Sequence, residues 1–131
     1  MNPAMQADLG KLVLRLALGV LVLLHGVAKL RGGVDPIEGM LTAQGLPGVL
    51  AYGALLGEVL GPLMLIAGFY GRIGALLIAI NMLFALGLAH VGQLGQLNDQ
   101  GGWALELQGM FLFSAIALAL LGPGRYSVNN K

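Results

Sequence analysis

The sequence predicts an all-α fold: a four-transmembrane-helix bundle with a short interfacial helix between helices 1 and 2. Three observations lead there. First, hydrophobic residues make up 57 % of the 131-residue chain and charged residues 10 %, against about 25 % charged in an ordinary soluble domain. A soluble domain this small must cover a large surface with polar groups, and this chain has too few. Second, the chain has stretches at 9–30, 49–70, 73–91 and 103–121 that are apolar over the length a bilayer requires, about 20 residues. Third, the 22 glycines suit membrane helices, where glycine is commoner than in soluble ones. A single domain, 1–131, accommodates all of this.

Taken in order, the first helix ends at Gly32-Gly33. Its apolar run does not read as a cleavable signal peptide, because Arg15 lies inside it and no small-residue cleavage site follows. Asp35-Pro36-Ile37-Glu38 is a helix start, with Asp35 as N-cap, Pro36 at the first helical position and Glu38 reaching back as a capping box. Gly45 and Pro47 stop that helix. It is too short to span and is placed at the interface. Gly71-Arg72 is a tight turn between the second and third spans. A Gln-, Asn- and Gly-rich connection, 92–102, precedes the fourth. Gly122-Pro123-Gly124 ends it, leaving a polar tail from Arg125 to Lys131.

Lys and Arg set orientation in membranes. An even number of spans puts both termini and the Arg72 turn on one side, with Lys11, Arg15, Arg72, Arg125 and Lys131; Lys29 and Arg31 lie on the other. That bias favours cytoplasmic termini. Gly53, Gly57 and Gly61 form overlapping G-x-x-x-G steps, which let backbones approach closely. They serve either packing inside the bundle, the simpler reading, or a seam for a homo-oligomer. A net charge of +1 gives no basic surface for nucleic acid. With no cysteine, disulfides, thiolate metal sites and catalytic dithiols within the chain are excluded.

Ionisable groups inside apolar spans are costly and often mark function. Here they are Arg15, His25, Lys29, Glu58, His90 and Glu106, with Asn81 as a further polar residue. At 100° per residue, Arg15, His25 and Lys29 fall within an arc of about 80° on the first helix, a face that should point inward. Arg15 and His25 are about 15 Å apart along the axis, so they serve different depths. Glu58 sits at mid-span, the most costly depth, and is the hardest to explain as structural. Unpaired it would stay neutral; paired with His25 or a basic residue it would ionise. His25, Lys29, Glu58, His90 and Glu106 gather in the outer half, while Arg15 sits toward the cytoplasm. Each has a structural alternative: snorkelling for Arg15 and Lys29, a wet interface for His90 and Glu106, and an interhelical hydrogen bond for Asn81. Asn81 and His90 fall on opposite faces of one helix. Two His and two Glu are acceptable metal ligands, but no local ligand spacing exists, and no metal is assigned. Phosphate-loop, nucleophile-elbow and metalloprotease motifs are absent.

The polar pattern, with its flanking turns, resembles the DoxX family of small bacterial membrane proteins. The resemblance rests on Leu14-Arg15-Leu16, Leu24-His25-Gly26 and Lys29; on Gly45-Leu46-Pro47; on Gly57-Glu58 with Gly61; and on Gly71-Arg72 and His90. It continues through Gly101-Gly102-Trp103 with Glu106 to the ending Gly122-Pro123-Gly124-Arg125-Tyr126-Ser127. It implies a four-helix bundle in the bacterial cytoplasmic (inner) membrane. Some members look like membrane subunits of thiosulfate:quinone oxidoreductase, and others are described as oxidoreductases tied to thiol or quinone stress. A fold transfers between relatives more safely than a reaction does.

The leading expectation is a membrane redox component, in contact with lipid and with a redox partner protein, that binds a quinone or similar amphipathic carrier. His25 and Glu58 would act as catalytic residues, with Arg15, Lys29, His90 and Glu106 around the cofactor. A non-enzymatic scaffold that docks another membrane protein, and a small transporter, are the alternatives. Convergence of His25, Glu58 and Glu106 on one cavity would favour binding; separate interfaces would favour the scaffold.

Overall fold

The computed structural model describes residues 2–33, 35–89, 92 and 94–131, with 88 and 89 described by backbone alone. Among the described residues the chain is helical, with no strand and a single isolated bridge, Leu97 to Trp103. The elements are α1 (Pro3–Gly32), α2 (Asp35–Ala43), α3 (Gly48–Ala67), α4 (Gly71–Ala89) and α5 (Glu106–Leu121). α1 and α3 are each long and apolar enough to cross a membrane, whereas the apolar stretches of α4 and α5 are shorter.

Local chemistry explains where each helix begins and ends. α1 starts at Pro3, earlier than expected from hydropathy, because Asn2 caps it: its Oδ1 accepts from the Met5 N–H at 2.8 Å. It ends at Gly33, whose φ of +83° breaks the helix while its N–H donates to the Lys29 carbonyl at 2.8 Å. α2 begins at Asp35 itself, one residue before the expected first helical position Pro36, and Leu41, Ala51 and Ile37 pack it onto the first turn of α3. The second span was expected to reach Tyr70 but stops at Ala67. Gly68 turns left-handed there, φ +73°, and the N–H groups of Gly68 and Phe69 close on the Leu65 and Met64 carbonyls, a Schellman-type ending. The fourth span was expected from Trp103, yet α5 begins at Glu106. Trp103 belongs to the preceding loop: it pairs with Leu97, and its indole N–H donates to the Leu94 carbonyl at 2.8 Å.

α3 is not uniform. It opens with a 3₁₀ turn, Gly48–Tyr52, and contains a π-helical turn at Leu56–Leu60. Pro62 is the cause. It has no N–H for the carbonyl one turn back, which is that of Glu58, and its ring crowds that oxygen. The helix widens instead, and the Gly61 N–H reaches the Leu56 carbonyl, five residues back.

The long helices pack as a ring, each on its sequence neighbour, with α2 set aside. α1 packs chiefly on α3, α3 on α4, and α4 on α5; the α5–α1 seam that closes the ring is the loosest of these. Leu18, Val22, Leu65, Ala75, Ile78, Met82, Phe111, Leu112, Ala115 and Leu118 fill the centre. Glycines set the closest approaches. A Cβ on Gly57 would overlap Asn81, and one on Gly61 would meet the Gly74 carbonyl at 2.9 Å, whereas Gly53 faces open space. Gly57 and Gly61 are therefore consumed inside the chain, and the strip of Gly53, Gly57 and Gly61 is not free as a seam for a second copy.

The tail is not a loose appendage. Arg15, 2 % exposed, donates to the Pro123 carbonyl at 2.6 Å and to those of Tyr126 and Ile66 at 2.8 and 3.4 Å. The N–H groups of Val128 and Asn129 donate to the Ala67 and Gly68 carbonyls, and Asn129 Oδ1 accepts from Tyr70 N–H. Arg72 reaches the Ala119 and Leu120 carbonyls at the end of α5, where a cation opposes the helix dipole. One end of the bundle thus collects Arg15, Arg72 and the C-terminal segment.

Candidate functional site

The π-helical turn points Glu58 into the ring of helices, where it is 6 % exposed. A carboxylate this deep needs partners, and neighbouring helices supply them. Lys29 on α1 places Nζ 2.6 Å from Glu58 Oε2. Asn81 on α4 donates from Nδ2 to Glu58 Oε1 at 3.2 Å. The carboxylate therefore ties α1, α3 and α4 together. Asn81 makes the interhelical hydrogen bond expected of it.

This polar cluster borders a cavity of about 150 Å³ lined by His25, Lys29, Glu58, Met82, Gln108 and Phe111, with Val22, Ala85 and Leu107 completing the wall. Such a volume is that of an apolar protein cavity able to take a benzene-sized ring. Polar groups from α1, α3 and α5 share the wall with the apolar side chains of Val22, Met82 and Phe111. His25 sits where α1 meets α5, its ring edge-on to Phe111 with centroids 5.7 Å apart. Among the described residues, neither the His25 ring nitrogens nor the Gln108 amide has a hydrogen-bond partner. The cavity thus combines a fixed, charge-paired carboxylate with uncommitted donors at its edge.

The expected site residues divide. His25, Lys29 and Glu58 line one cavity, so the convergence set out for His25, Glu58 and Glu106 is met by the first two and not by Glu106. Arg15 does not join them: its guanidinium is committed to the tail and to the end of α3, which also removes the snorkelling reading. Glu106 is exposed, and its carboxylate lies against the loop at Gly102 and not in the cavity. His90 lies outside the described residues. Gln108 was missed. The signal was available, since an amide stands one turn inside an otherwise apolar helix.

Comparison with known proteins decides the family. Residues 10–91 match the DoxX family. The chain belongs to the DoxX family. Its members are membrane-associated, in keeping with the apolar helices here. The chain is also similar to a protein of Haemophilus influenzae (strain ATCC 51907 / DSM 11121 / KW20 / Rd) described as an uncharacterized protein. The two are 29 % identical over 122 residues, covering 90 % of this chain and 87 % of the relative. No solved structure gives a significant match.

Proposed function

We propose that this DoxX protein is a four-span bundle of the bacterial cytoplasmic membrane that holds the ring of a quinone, or a similar amphipathic carrier, as part of a redox system. The observation that carries the proposal is the cavity bounded by His25, Lys29, Glu58 and Gln108. Its volume suits one ring, its apolar wall suits the ring faces, and its uncommitted donors suit carbonyl oxygens. His25 and the Gln108 amide hydrogen-bond those oxygens. Glu58, ion-paired to Lys29 and positioned by Asn81, would exchange a proton with the bound ring at its carboxylate. Met82 and Phe111 keep water from the ring. A quinone bound there would supply the reversible uptake of electrons and protons. The chain has no cysteine, so thiol chemistry would belong to a partner protein.

The membrane reading draws on the outer surface. Val13, Leu24, Leu63, Leu76, Phe84, Met110, Phe113 and Leu120 are exposed, so α1, α3, α4 and α5 each carry an apolar outer face. Soluble monomers rarely expose apolar patches of such extent. α5, at 16 residues, rises about 24 Å, short of the roughly 30 Å hydrocarbon core. The loop before it is hydrogen-bonded to itself through Asn98, Gly102 and Ala104, as backbone near lipid must be. Arg15, Arg72 and the tail at one end favour cytoplasmic termini. A reporter fused after Lys131 and active only outside the cytoplasm would reverse that orientation.

The site is tested on protein purified in mild detergent. Wild type, His25→Ala and Glu58→Gln are extracted, and bound quinone is quantified by mass spectrometry. Near-stoichiometric quinone in wild type, lost in the variants, is the expected result. Quinone absent from wild type, or retained unaltered by both variants, would sink the proposal and shift weight to the scaffold reading. That reading has itself lost part of its motive, because Gly57 and Gly61 pack inside the chain.

A further inference from the structure

The cavity wall is unevenly covered. Glu58 on α3, Met82 on α4, Val22 on α1 and Phe111 on α5 are buried, and Ala85 on α4 is half-buried. The lining residues that reach the surface most are His25 on α1, which is exposed, and Leu107 on α5, which is 48 % exposed, with Lys29 and Gln108 half-buried beside them. The mouth therefore lies at the α1–α5 seam, which is also the loosest in the ring.

Helix geometry shows what flanks that mouth. On α1, Gly26 and Gly19 face α3. His25 is about 100° round from Gly26, and Leu21 lies about 40° further, on the outer side. Leu21 is exposed, as are Leu24 beside it and Met110 beside Phe111 on α5. His25 is about 10 Å along the axis from the end of α1. On α1 the mouth is thus flanked by exposed apolar side chains and set back from the helix end, while on α5 it lies in the first turn, where Leu107 follows Glu106.

Resting on the cavity reading above, we infer that the site takes its ligand sideways out of the hydrocarbon layer, through the α1–α5 seam. The ligand then carries a hydrocarbon tail that stays in the seam between Leu21 and Leu107 while its ring occupies the cavity.

The experiment uses the full chain in lipid nanodiscs and a decyl-tailed benzoquinone bearing a photoreactive diazirine on the tail next to the ring. After irradiation, labelled positions are mapped by mass spectrometry, with and without excess untagged decyl-benzoquinone. The expected result is displaceable labelling on α1 and α5 around Leu21 and Leu107. Leu21→Trp, which fills the seam, should lower quinone occupancy at least about tenfold, equivalent to about 1.4 kcal/mol. Leu83→Trp, on the exposed face of α4 away from the seam, should leave occupancy unchanged. Labels confined to α2, α4 or the 94–105 loop, with ring binding intact, would overturn lateral access and leave the cavity assignment standing. Equal occupancy in Leu21→Trp and wild type would do the same. If wild type retains no quinone and no label is displaceable, the cavity assignment falls and lateral access falls with it.

Discussion

Gly26 of α1 lies directly on the backbone carbonyl of Glu58: a Cβ at Gly26 would overlap that oxygen and crowd the Val59 side chain. The same carbonyl is the one that Pro62 leaves without its usual helical donor. Three sequence features, a glycine on one helix and a proline and a glutamate on another, meet at one point. Together they set how closely α1 approaches the π-helical turn and bring Lys29, one turn along from Gly26, to Glu58.

Gly26→Ala should therefore push α1 away from α3. Overpacking a close contact costs about 1–3 kcal/mol, and the expected result is a clear drop in thermal unfolding temperature in detergent. Gly10→Ala, where the added carbon meets nothing, should leave the temperature unchanged or raise it. Equal effects from the two substitutions would contradict the packing described.

The ion pair should respond asymmetrically. Lys29→Met strands a carboxylate that is 6 % exposed, while Glu58→Gln leaves a lysine able to extend toward the surface. Lys29→Met should be the more damaging by roughly 1–3 kcal/mol, the penalty for an unsatisfied buried polar group. The double variant should recover part of the loss, because no buried charge remains unpaired. Denaturation of the single and double variants measures this; strictly additive losses would rule out the coupling.

Arg15 and the tail should behave as one unit. Arg15→Ala removes hydrogen bonds from a charged donor, each worth about 1.5–3 kcal/mol. It should free the segment after Gly122 for protease. Arg15→Lys should rescue little, because an ammonium cannot span carbonyls from both the tail and α3 as the planar guanidinium does. Truncation after Gly122 should destabilise to a similar degree, and adding Arg15→Ala to the truncation should change little more. Full additivity of the two would show that Arg15 acts elsewhere.

The glycine steps on α3 make a further contrast. Gly57→Leu should abolish accumulation of folded protein, since the side chain would collide with Asn81. Gly53→Ala should be neutral, or stabilising by up to about 1 kcal/mol through helix propensity. Sedimentation of Gly53→Leu in detergent should match wild type; a change in oligomeric state there would restore a seam on this face.

Much of the architecture was legible in the residues. Apolar runs located the long helices, and Gly33 and Gly122 marked ends; Gly71-Arg72, expected as the turn, instead opens α4, and the turn falls at 68–70, where Gly68 adopts the left-handed conformation. The 100° arc put Arg15, His25 and Lys29 on one face, because angular position on a helix follows from residue number alone; Arg15 is buried on it, Lys29 is half-buried, and His25 is exposed at the cavity edge. Arg15 shares that arc but not the cavity. Depth and partners are not periodic quantities, and the carbonyls that take up its guanidinium come from Pro123 and Tyr126, more than a hundred residues away. Glu106 failed for a related reason. The helix begins one turn later than hydropathy suggested, so Glu106 sits at its exposed start and Gln108 takes the place on the cavity wall.

By itself the sequence determined the helical class, the apolar lengths, the family and the identity of Glu58 as a group that must find a partner in an apolar setting. Those follow from local chemistry: transfer energies, capping and periodicity act over a few residues. Only the tertiary structure decided which partner Glu58 takes, that the tail closes one end of the bundle on Arg15, and that the ring of helices is loosest between α1 and α5. Those depend on how side chains from distant segments share space, as Lys29 and Asn81 do at Glu58.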